Sequence, residues 1–478
     1  MSEYEVVVGM ECHAELLTES KMFCGCRNEF GGEPNTRCCP VCLGFPGALP
    51  VMNRLAVEHV IRTALALNCQ ITPNAKFDRK NYYYPDLPKG YQISEYDFPI
   101  GVKGWLDVEV NGEAKRIHIL RVHLEEDTGK LFHVLGDESY VDYNRSGVPL
   151  MEIVTDFPPD IRSSDDARAY LAKLRAILTY IGVCDGKMEE GSLRCEPNVS
   201  VRVVGSDTFG TKSEIKNLNS FRAVQRGIDY ELERQAEVLE SGGRVIQETR
   251  GWNDAKQITF SQRSKEGAEE YRYFPEPDLV PLDITEEWIE TVRASMPELP
   301  DARKARFIEQ YGISAYDAGL LTDSRALSDY FEAVVKESGD PKGSCNWVMG
   351  DLARLQNANG RDITECPITP EDLATMVQRI NDGTITGRIA KTLIEEMYAT
   401  GSAPDVIIEE KGWKTVKDSG AIIEMVEKVF AENPQIVADI KERGLTAKRG
   451  FLVGQVMKAS QGKADPKEVN RLVDEKLR

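Results

Sequence analysis

Residues 6–13 read VVVGMECH, and this short stretch decides the fold class of the first part of the chain. Val6, Val8 and Met10 fall on one side of an extended backbone, whereas Glu11 and His13 fall on the other. Such a period of two is typical of a half-buried β-strand. The sequence therefore predicts an opening strand with one apolar face and one polar face.

The segments that follow mix helix and strand signals. Amphipathic helices are predicted over residues 53–68, from residue 163 or 164 to 182, and over residues 221–240. The Asn-Gly dipeptide at 111–112 lies between two alternating runs, which is the strongest short signal for a β-hairpin. The first part is therefore predicted to be α+β, with a mixed, largely antiparallel sheet.

The later part of the chain is predicted to be helical. From about residue 284 helical periodicity replaces the strand signals, and breaks occur near residues 296–300 and 401–404. We therefore predict three domains: 1–292 with the sheet, an all-α helical domain at 293–403, and a small α-helical tail domain at 404–478.

Composition restricts the class of function. The 478 residues carry a formal net charge of −19, and no run approaches the roughly eighteen apolar residues of a membrane span. The acidic start has no secretory signal pattern, so we expect a cytoplasmic protein without membrane contact. Because a chain that coats nucleic acid usually has a basic field, any RNA contact is expected to be local.

The end of the chain is the one basic region large enough to suggest such a contact. Residues 441–478 contain ten Lys or Arg and five Asp or Glu. Lys448, Arg449 and Lys458 are the candidate RNA-binding residues in this region. The alternative is that these charges form an ordinary solvated helical face.

Two pairs of cysteines predict a structural zinc site. Cys24 and Cys26 are separated by twelve residues from Cys39 and Cys42, and each short loop can direct two thiolates at one tetrahedral ion. Four protein ligands leave no open position, so such an ion would stabilise a loop. Cys38 could take the place of Cys39, and the competing interpretation is a set of reduced, buried cysteines.

A second candidate metal site consists of acids on strands. Glu11 and His13 share one face of the first strand, Glu152 lies on a later strand, and strand parity separates Glu126 from its neighbour Glu125. Carboxylates with an imidazole form a hard site suited to Mg2+ and nucleotide phosphates. The alternative is that these acids are solvated or paired in salt bridges.

Residues 76–92, KFDRKNYYYPDLPKGYQ, combine cations, tyrosines and turn residues. Arg79 and Lys80 could bind phosphate or carboxylate oxygens, and Tyr83 could stack on a base or form a pocket wall. The competing interpretation is an ordinary surface loop.

Several expected signatures are missing from the sequence. Residues 210–213, GTKS, lack the glycine before the lysine and the upstream glycine of a phosphate-binding loop. No nucleophile elbow, amidase signature or glutaminase cysteine is recognisable. We therefore expect no ammonia-producing site in this chain.

Motifs along almost the whole chain closely resemble those of the GatB family. They include residues 8–16 (VGMECHAEL), 20–23 (SKMF), 43–50 (LGFPGALP), 123–127 (HLEED), 271–278 (YRYFPEPD) and 450–458 (GFLVGQVMK). The resemblance implies a ligase of translation: ATP phosphorylates the side-chain carboxylate of Glu on tRNA(Gln) or Asp on tRNA(Asn), and ammonia displaces the phosphate.

The resemblance also implies partners and domain roles. A GatA-like amidase would hydrolyse glutamine and deliver ammonia, and a small GatC-like protein would brace the heterotrimer. Residues 1–292 would form a cradle with the chemistry and a zinc-binding loop at 24–42. A helical domain would follow, and residues 404–478 would be a YqeY-like tail that contacts the misacylated tRNA.

Carried over position by position, the resemblance assigns the candidate catalytic residues. His13, Glu126 and Glu152 match the family's Mg2+ ligands, and Glu11 matches a nearby acidic position. By the same resemblance Arg79, Lys80 and Tyr83 would line the ATP and substrate cavity, and Cys24, Cys26, Cys39 and Cys42 match its zinc-bearing branch. Glu196 stands where many relatives have Asp.

Two alternatives differ in class. One is the related archaeal GatE protein, which carries an extra inserted domain. With 478 residues and no large insertion between the helical signals, this chain fits GatB better. The other is a zinc-containing RNA-binding module without catalysis. Clustered carboxylates at Glu11, His13, Glu126 and Glu152 argue against that module, because acids near RNA phosphates weaken binding.

Overall fold

The structure is a computed structural model that describes residues 4–133, 138–264, 268–415, 419–443, 448–460 and 464–477. The chain divides into two compact units, residues 1–299 and residues 300–478. Within the described ranges, no helix is both long enough and apolar enough to cross a membrane.

The first unit contains runs of strands that a few helices interrupt. Its strands are β1 (Tyr4–Glu15), β2 (Gln70–Ile71), β3 (Asp78–Asn81), β4 (Tyr91–Ser94), β5 (Gly101–Val110), β6 (Glu113–Glu126), β7 (Lys130–His133), β8 (Ser139–Asp142), β9 (Pro149–Thr155), β10 (Leu193–Val203), β11 (Ser213–Lys216), β12 (Glu248–Asn253), β13 (Ile258–Ser264) and β14 (Phe274–Pro275). Its helices are α1 (Arg54–Ala66), α2 (Ser164–Tyr180), α3 (Phe221–Glu240) and α4 (Glu286–Ser295), with a 3-10 turn at Ala268–Tyr271.

Nine of these strands form one large sheet. Their order is β13-β12-β11-β10-β1-β9-β6-β5-β2, and the pairs are antiparallel except for β11 with β12. Strands β14, β3 and β4 form a second, three-stranded sheet, and β7 pairs with β8. The predicted α+β class with a largely antiparallel sheet is confirmed.

Strand β1 is the middle strand of the large sheet, and its residues alternate as the sequence predicts. Val8, Met10 and Cys12 are fully buried in the main core together with Leu171 and Leu174 of α2. The intervening residues of β1 face the other side of the sheet. One face of the sheet is therefore covered by helices, and the opposite face is available for polar chemistry.

Local signals explain where the helices begin. The side chain of Asn53 accepts a hydrogen bond from Leu55 N at the start of α1, and Ser163 accepts one from Asp166 N at the start of α2. The choice between Ser163 and Ser164 as the N-cap is thereby settled in favour of Ser163.

The predicted hairpin joins β5 to β6. Asn111 and Gly112 both have positive φ, at 53° and 83°, which is the conformation that a tight type I′ turn requires. Asn and Gly tolerate this region better than other residues, so the dipeptide determines the register of both strands.

The second unit is built from helices: α5 (Pro300–Tyr311), α6 (Ala315–Leu321), α7 (Arg325–Ser338), α8 (Pro341–Trp347), α9 (Ala353–Asn359), α10 (Pro370–Asn381), α11 (Gly387–Thr400), α12 (Pro404–Lys411), α13 (Ser419–Glu432), α14 (Pro434–Arg443), α15 (Arg449–Ala459) and α16 (Pro466–Leu477). One apolar core surrounds Phe307 and Phe331, and a separate one surrounds Val426 and Leu452. The predicted boundaries at 292 and 403 stay predictions.

Candidate functional site

The polar face of the large sheet forms the floor of a cavity of about 530 Å³. Strands β1, β6, β9, β10 and β11 supply the floor, and β3 of the small sheet contributes to one wall. The lining includes Glu11, His13, Lys80, Tyr82, Glu95, Arg121, His123, Glu125, Asp127, Glu152, Arg194, Glu196, Lys212, Glu214, Lys216, Tyr271 and Tyr273.

Strand register brings one imidazole and two carboxylates together at the centre of this floor. Glu152 of β9 lies opposite His13 of β1 on one side and opposite His123 of β6 on the other. Because residues two apart in a strand share a face, Glu125 joins the group. The His13 Nε2 atom lies 3.5 Å from Glu152 Oε2 and 3.7 Å from Glu125 Oε1.

These three side chains fit a divalent cation. Each of His13, Glu125 and Glu152 offers one donor atom, and the donor atoms lie within 4.8 Å of one another. Two carboxylates with one imidazole form a hard donor set, which suits Mg2+ better than a softer metal. His123 lies beside the group, with its Nε2 atom 3.3 Å from Glu152 Oε2.

The electrostatics of the cluster follow from burial and close pairing. Burial alone would lower the pKa of His13, but the Glu152 carboxylate outweighs it and raises that pKa to about 9. The pKa of His123 likewise rises to about 9, because the Glu152 charge outweighs burial. Burial opposes the charge of Glu152, yet the two imidazoles hold its pKa well below the usual value. Glu152 is therefore anionic near neutral pH.

A second acidic group lies beside the first on the same face. Glu11 of β1 is directly opposite Glu196 of β10, and the two can share a cation with Glu214 of β11. Asn198 Nδ2 donates to Glu11 Oε1 over 2.8 Å, and Lys216 Nζ lies 2.5 Å from Glu196 Oε2. The polar floor thus contains two neighbouring sets of carboxylates.

Cations complete the cavity. The Lys80 Nζ atom lies 4.9 Å from the centre of the Tyr271 ring. Burial would lower the pKa of Lys80, but the charge of Glu125 outweighs it and holds the pKa far above the usual value. Arg121 Nη2 lies 3.9 Å from Glu152 Oε1. These groups can bind anionic oxygens next to the carboxylate cluster.

The structure does not bring Glu126 into the cluster. The Glu126 carboxylate accepts a hydrogen bond from Ile93 N over 3.0 Å and pairs with Lys89. Because β6 alternates, Glu126 faces away from His13, and its place is taken by Glu125. Of the predicted set, His13 and Glu152 therefore lie in the first carboxylate group, and Glu11 lies in the second. Glu126 lies on the opposite face of the sheet.

The residues predicted to bind ATP are also separated. Lys80 lines the cavity, but Arg79 lies on the other side of β3. Arg79 Nε and Nη2 donate to the two oxygens of the buried Glu276 carboxylate over 2.7 and 2.8 Å. The side chain of Tyr83 is 80% exposed, and the neighbouring Tyr82 lines the cavity instead.

The four predicted zinc ligands converge in one place. The sulfur atoms of Cys24, Cys39 and Cys26 lie 3.5, 3.7 and 3.8 Å from that of Cys42. Zn–S bonds of about 2.3 Å in a tetrahedron place the sulfurs about 3.8 Å apart. Cys38 is not in this set, because its Sγ donates to the Asn35 carbonyl.

A buried lysine connects this thiol cluster to the rest of the domain. Lys21 Nζ lies 3.6 Å from Cys42 Sγ and donates to the Ser146 carbonyl over 2.7 Å. The hydrogen bond from Cys24 and the charge of Lys21 outweigh burial and lower the pKa of Cys42 to about 4. The donor set therefore fits a structural zinc ion.

The predicted RNA-binding residues differ in their surroundings. Lys448 Nζ lies 2.6 Å from Asp439 Oδ2, and Arg449 Nη2 donates to Asp474 Oδ2 over 2.9 Å. Lys458 on α15 is exposed. Part of the basic charge is thus neutralised within the tail, and Lys458 is the most accessible of the three residues for contact with RNA phosphates.

Sequence reasoning missed residues that join the site through pairing between distant strands. His123 and Glu125 lie on the same face of β6, which strand parity already indicated, but their alignment with Glu152 depends on register. Lys216 of β11 reaches the cavity beside Glu196 of β10, the acid that was already noted from the sequence. The HLEED motif at 123–127 was the available signal, and it did not specify which of the two adjacent acids faces inward.

Comparison with known proteins identifies two matching families and many similar chains. Residues 6–290 match the GatB/GatE catalytic domain, and residues 329–477 match the GatB domain. Relatives from Carboxydothermus hydrogenoformans and Brevibacillus brevis are each 55% identical over 100% of this chain and 99% of their own lengths. A relative from Moorella thermoacetica is 56% identical over 99% of this chain and 100% of its own length. Each is named as the B subunit of an aspartyl/glutamyl-tRNA(Asn/Gln) amidotransferase.

Proposed function

This chain belongs to the GatB/GatE family, and on that premise we propose that it is the part of a multisubunit ligase that amidates the amino acid of a misacylated tRNA. The substrates are Glu-tRNA(Gln), Asp-tRNA(Asn) or both, and the products are Gln-tRNA(Gln) and Asn-tRNA(Asn). The observation that carries this proposal is the group of His13, Glu125 and Glu152 on the floor of a polar cavity with nearby cations.

The reaction has two balanced steps. In the first, an oxygen of the substrate's side-chain carboxylate attacks the γ-phosphorus of ATP, and ADP leaves. In the second, ammonia attacks the acyl carbon, the bond from that carbon to the phosphate oxygen breaks, and the leaving phosphate takes up the proton that ammonia loses as the amide forms. Both steps place several negative charges close together, and a site that lowers this repulsion accelerates them.

The residues of the cavity have distinct roles in this scheme. His13, Glu125 and Glu152 would hold Mg2+, which when bound neutralises charge on phosphate and carboxylate oxygens. Lys80 and Arg121 bind phosphoryl oxygens and orient the transferred group. The buried floor excludes water, which would otherwise hydrolyse the acyl phosphate.

Other parts of the chain would support binding and assembly. Cys24, Cys26, Cys39 and Cys42 would hold a structural zinc ion with no open position. The tail would contact tRNA phosphates, chiefly through Lys458. The relatives are named as one subunit of an amidotransferase, which supports a multisubunit complex. In this complex a glutamine-hydrolysing amidase would deliver ammonia, and a third, small chain would stabilise the assembly. We place this activity in the cytoplasm.

The test is ATP-dependent amidation by the full chain assembled with its partner proteins, with free ammonia as the nitrogen donor. Wild type should amidate Glu-charged or Asp-charged tRNA and should release one phosphate for each tRNA that it amidates. Glu152→Gln should bind tRNA normally and form neither product, whereas Glu109→Gln, an exposed acid on β5, should match wild type.

Two results would count against the proposal. Inactivity of the wild-type complex with both Glu-charged and Asp-charged tRNA would remove the enzymatic function. Full activity of Glu152→Gln would leave the function in place and remove the cation site.

A further inference from the structure

A second cavity, of about 480 Å³, lies between helices α2 and α3 and outside the catalytic cavity. One face of α2, the loop at 186–189 and the start of α3 line it. Its described lining contains three arginines, Arg168, Arg175 and Arg222, but only one acid, Glu189. We call this cavity the arginine pocket. It has an excess of positive charge, and the functions assigned so far leave it unused.

The three arginines of the pocket have no acidic partners. Within the described ranges none of them forms an ion pair with a carboxylate, and all three side chains are exposed. Asp165 lies three residues before Arg168 on α2, a spacing at which such side chains can meet. The Asp165 carboxylate instead accepts a hydrogen bond from Gln225 Nε2 over 2.7 Å. The guanidinium groups are therefore available to a ligand from solvent.

Packing holds one of these arginines in place. The guanidinium carbon of Arg175 lies 5.6 Å from the centre of the Phe221 ring at the start of α3. On its other side lies Gly186, where a Cβ atom would meet Arg175 Cγ at 2.8 Å and Nε at 3.0 Å. Glycine at this position therefore leaves room for the arginine stem. A side chain that is already ordered loses less conformational entropy when a ligand binds.

The start of α3 adds to the positive character of the arginine pocket. The Ser220 hydroxyl caps this helix by accepting a hydrogen bond from Ala223 N. Arg222 is the second residue of the helix, and the first turn contains no acid. A cation at the positive end of a helix is unfavourable, whereas an anion there is stabilised. A bound anion would therefore offset the repulsion between Arg222 and the helix end.

The chemistry of the arginine pocket favours a phosphate group. Each guanidinium group is a planar fork of donors that matches phosphate or carboxylate oxygens. A tetrahedral phosphate presents its oxygens in several directions, so it can accept from arginines on two different helices at once. A planar carboxylate has only two oxygens. The start of a helix is also a common site for phosphate in proteins.

Two chain segments connect the arginine pocket to the catalytic cavity. Lys216 lines the cavity, and Asn219, three residues later, lines the pocket. Since an extended residue spans at most about 3.6 Å, the Cα atoms of these two residues lie no more than about 11 Å apart. On the segment that enters β10, Glu189 lines the pocket and Arg194 lines the cavity. The arginine pocket therefore lies close to the reacting groups.

We propose that the arginine pocket binds a backbone phosphate of the substrate tRNA, near the end that carries the amino acid. This inference rests on the proposed function, which brings that end into the neighbouring cavity. Each nucleotide of the strand supplies one phosphate charge. Contacts to these phosphates position a nucleic acid and do not read its sequence. A free phosphate ion has the same chemistry, and the experiment distinguishes the two sources.

The test uses the full chain assembled with its partner proteins. The double variant Arg168→Gln with Arg222→Gln removes two guanidinium groups and leaves Arg175 packed. Loss of a charge-assisted hydrogen bond to phosphate weakens binding about tenfold or more. The double variant should therefore raise the KM for aminoacyl-tRNA about tenfold, while kcat at saturating tRNA and the KM for ATP stay close to wild type. The salt dependence of tRNA binding should fall by about one phosphate contact.

Controls separate this contact from net charge and from folding. Arg244→Gln removes an exposed arginine of the same unit that does not line the pocket, so it should leave both the KM and the salt dependence unchanged. Arg222→Lys keeps the charge and should retain most of the affinity for tRNA. The double variant should unfold at the wild-type temperature and purify together with the partner proteins.

The outcomes distinguish the two sources of phosphate and the two proposals. Inorganic phosphate is the second probe. If the double variant loses phosphate binding but keeps the wild-type KM for aminoacyl-tRNA, the assignment to tRNA is overturned and the pocket is a site for free phosphate. Unchanged binding of both probes would overturn the phosphate site.

Failure of the double variant to assemble, with Arg244→Gln assembling normally, would also overturn the proposal and assign the arginines to a protein interface. If wild type forms no amidated tRNA, the proposed function fails. Direct binding of tRNA to the same variants then still tests the arginine pocket.

Discussion

Glu125 and Glu126 are consecutive in the chain, yet their carboxylates lie on opposite faces of β6. The Glu125 carboxylate accepts from Ser94 Oγ over 3.2 Å and lies 3.7 Å from His13 Nε2. The Glu126 carboxylate instead accepts from Ile93 N over 3.0 Å. Glu125 therefore lines the cavity, whereas Glu126 links β6 to β4 of the small sheet.

Replacement of each acid in turn tests this division. We expect Glu125→Gln to lower kcat about 100-fold and to raise the Mg2+ concentration needed for half-maximal activity, because a cation ligand is lost. Glu126→Gln should lower the melting temperature and leave the Mg2+ dependence unchanged. Titration of Mg2+ against the rate of amidation, beside thermal unfolding of each variant, provides the measurement. The reverse pattern would restore Glu126 as the cation ligand.

Lys80 tests the role of cations in the cavity. Lys80→Met keeps the length and apolar stem of the side chain but removes the charge that faces Glu125. We expect kcat to fall about 100-fold, because phosphoryl oxygens lose an electrostatic partner, and Lys80→Arg to recover part of that loss. Single-turnover phosphate release measures the effect. Equal rates for Lys80→Met and wild type would show that Lys80 acts only in packing.

Arg79 should matter for stability and not for nucleotide binding. Arg79→Ala leaves the Glu276 carboxylate buried without its bidentate partner, which typically costs about 3–5 kcal/mol in the free energy of unfolding. The double variant Arg79→Ala with Glu276→Gln should recover part of this loss, because the unpaired charge is gone. Denaturant unfolding measures stability. A large rise in the KM for ATP without loss of stability would contradict the structural role and return Arg79 to the ATP site.

The thiol cluster predicts one zinc ion per chain. Cys24→Ser or Cys39→Ser should abolish stoichiometric zinc and lower the melting temperature, since a tetrahedral site does not tolerate the loss of a thiolate. Cys38→Ser is the matched control, because Cys38 lies next to Cys39 but outside the cluster. Elemental analysis of the purified full chain measures the metal. Retention of zinc in the Cys24 variant, or its loss in the Cys38 variant, would refute the assignment.

The tail residues should differ in their effect on tRNA binding. Lys458→Ala should weaken binding and reduce the salt dependence by about one phosphate contact. Lys448→Ala should have a smaller effect, because Asp439 already neutralises that ammonium group. Binding of tRNA across a series of salt concentrations measures both slopes. Identical slopes for Lys458→Ala and wild type would remove Lys458 from the contact.

Local sequence features predicted the parts of the fold that depend on neighbouring residues. The alternation in β1, an N-cap at Ser163 or Ser164 and the turn at Asn111 and Gly112 each follow from contacts within a few residues. The clustering of the four cysteines was also predictable, because each pair lies in a short loop and one ion could accommodate both pairs.

The remainder of the candidate site depends on contacts between residues far apart in sequence. Alternation in β6 separates Glu125 from Glu126, but only the pairing with β9 shows which face meets Glu152. Likewise, Arg79 and Lys80 alternate along β3, but only the pairing of β3 with β14 brings Arg79 next to the segment that contains Glu276. A sequence pattern read locally does not contain these pairings.

The alternation of β1 also makes the protein sensitive to the deletion of a single residue within this strand. Deletion of one residue between Val8 and His13 would shift every later side chain of the strand to the other face. If the deleted residue is Gly9, Glu11 and His13 would enter the core, and Cys12 would enter the polar floor of the cavity. An in-frame deletion there would therefore remove folding and catalysis at once, whereas substitutions at alternate positions would affect them separately.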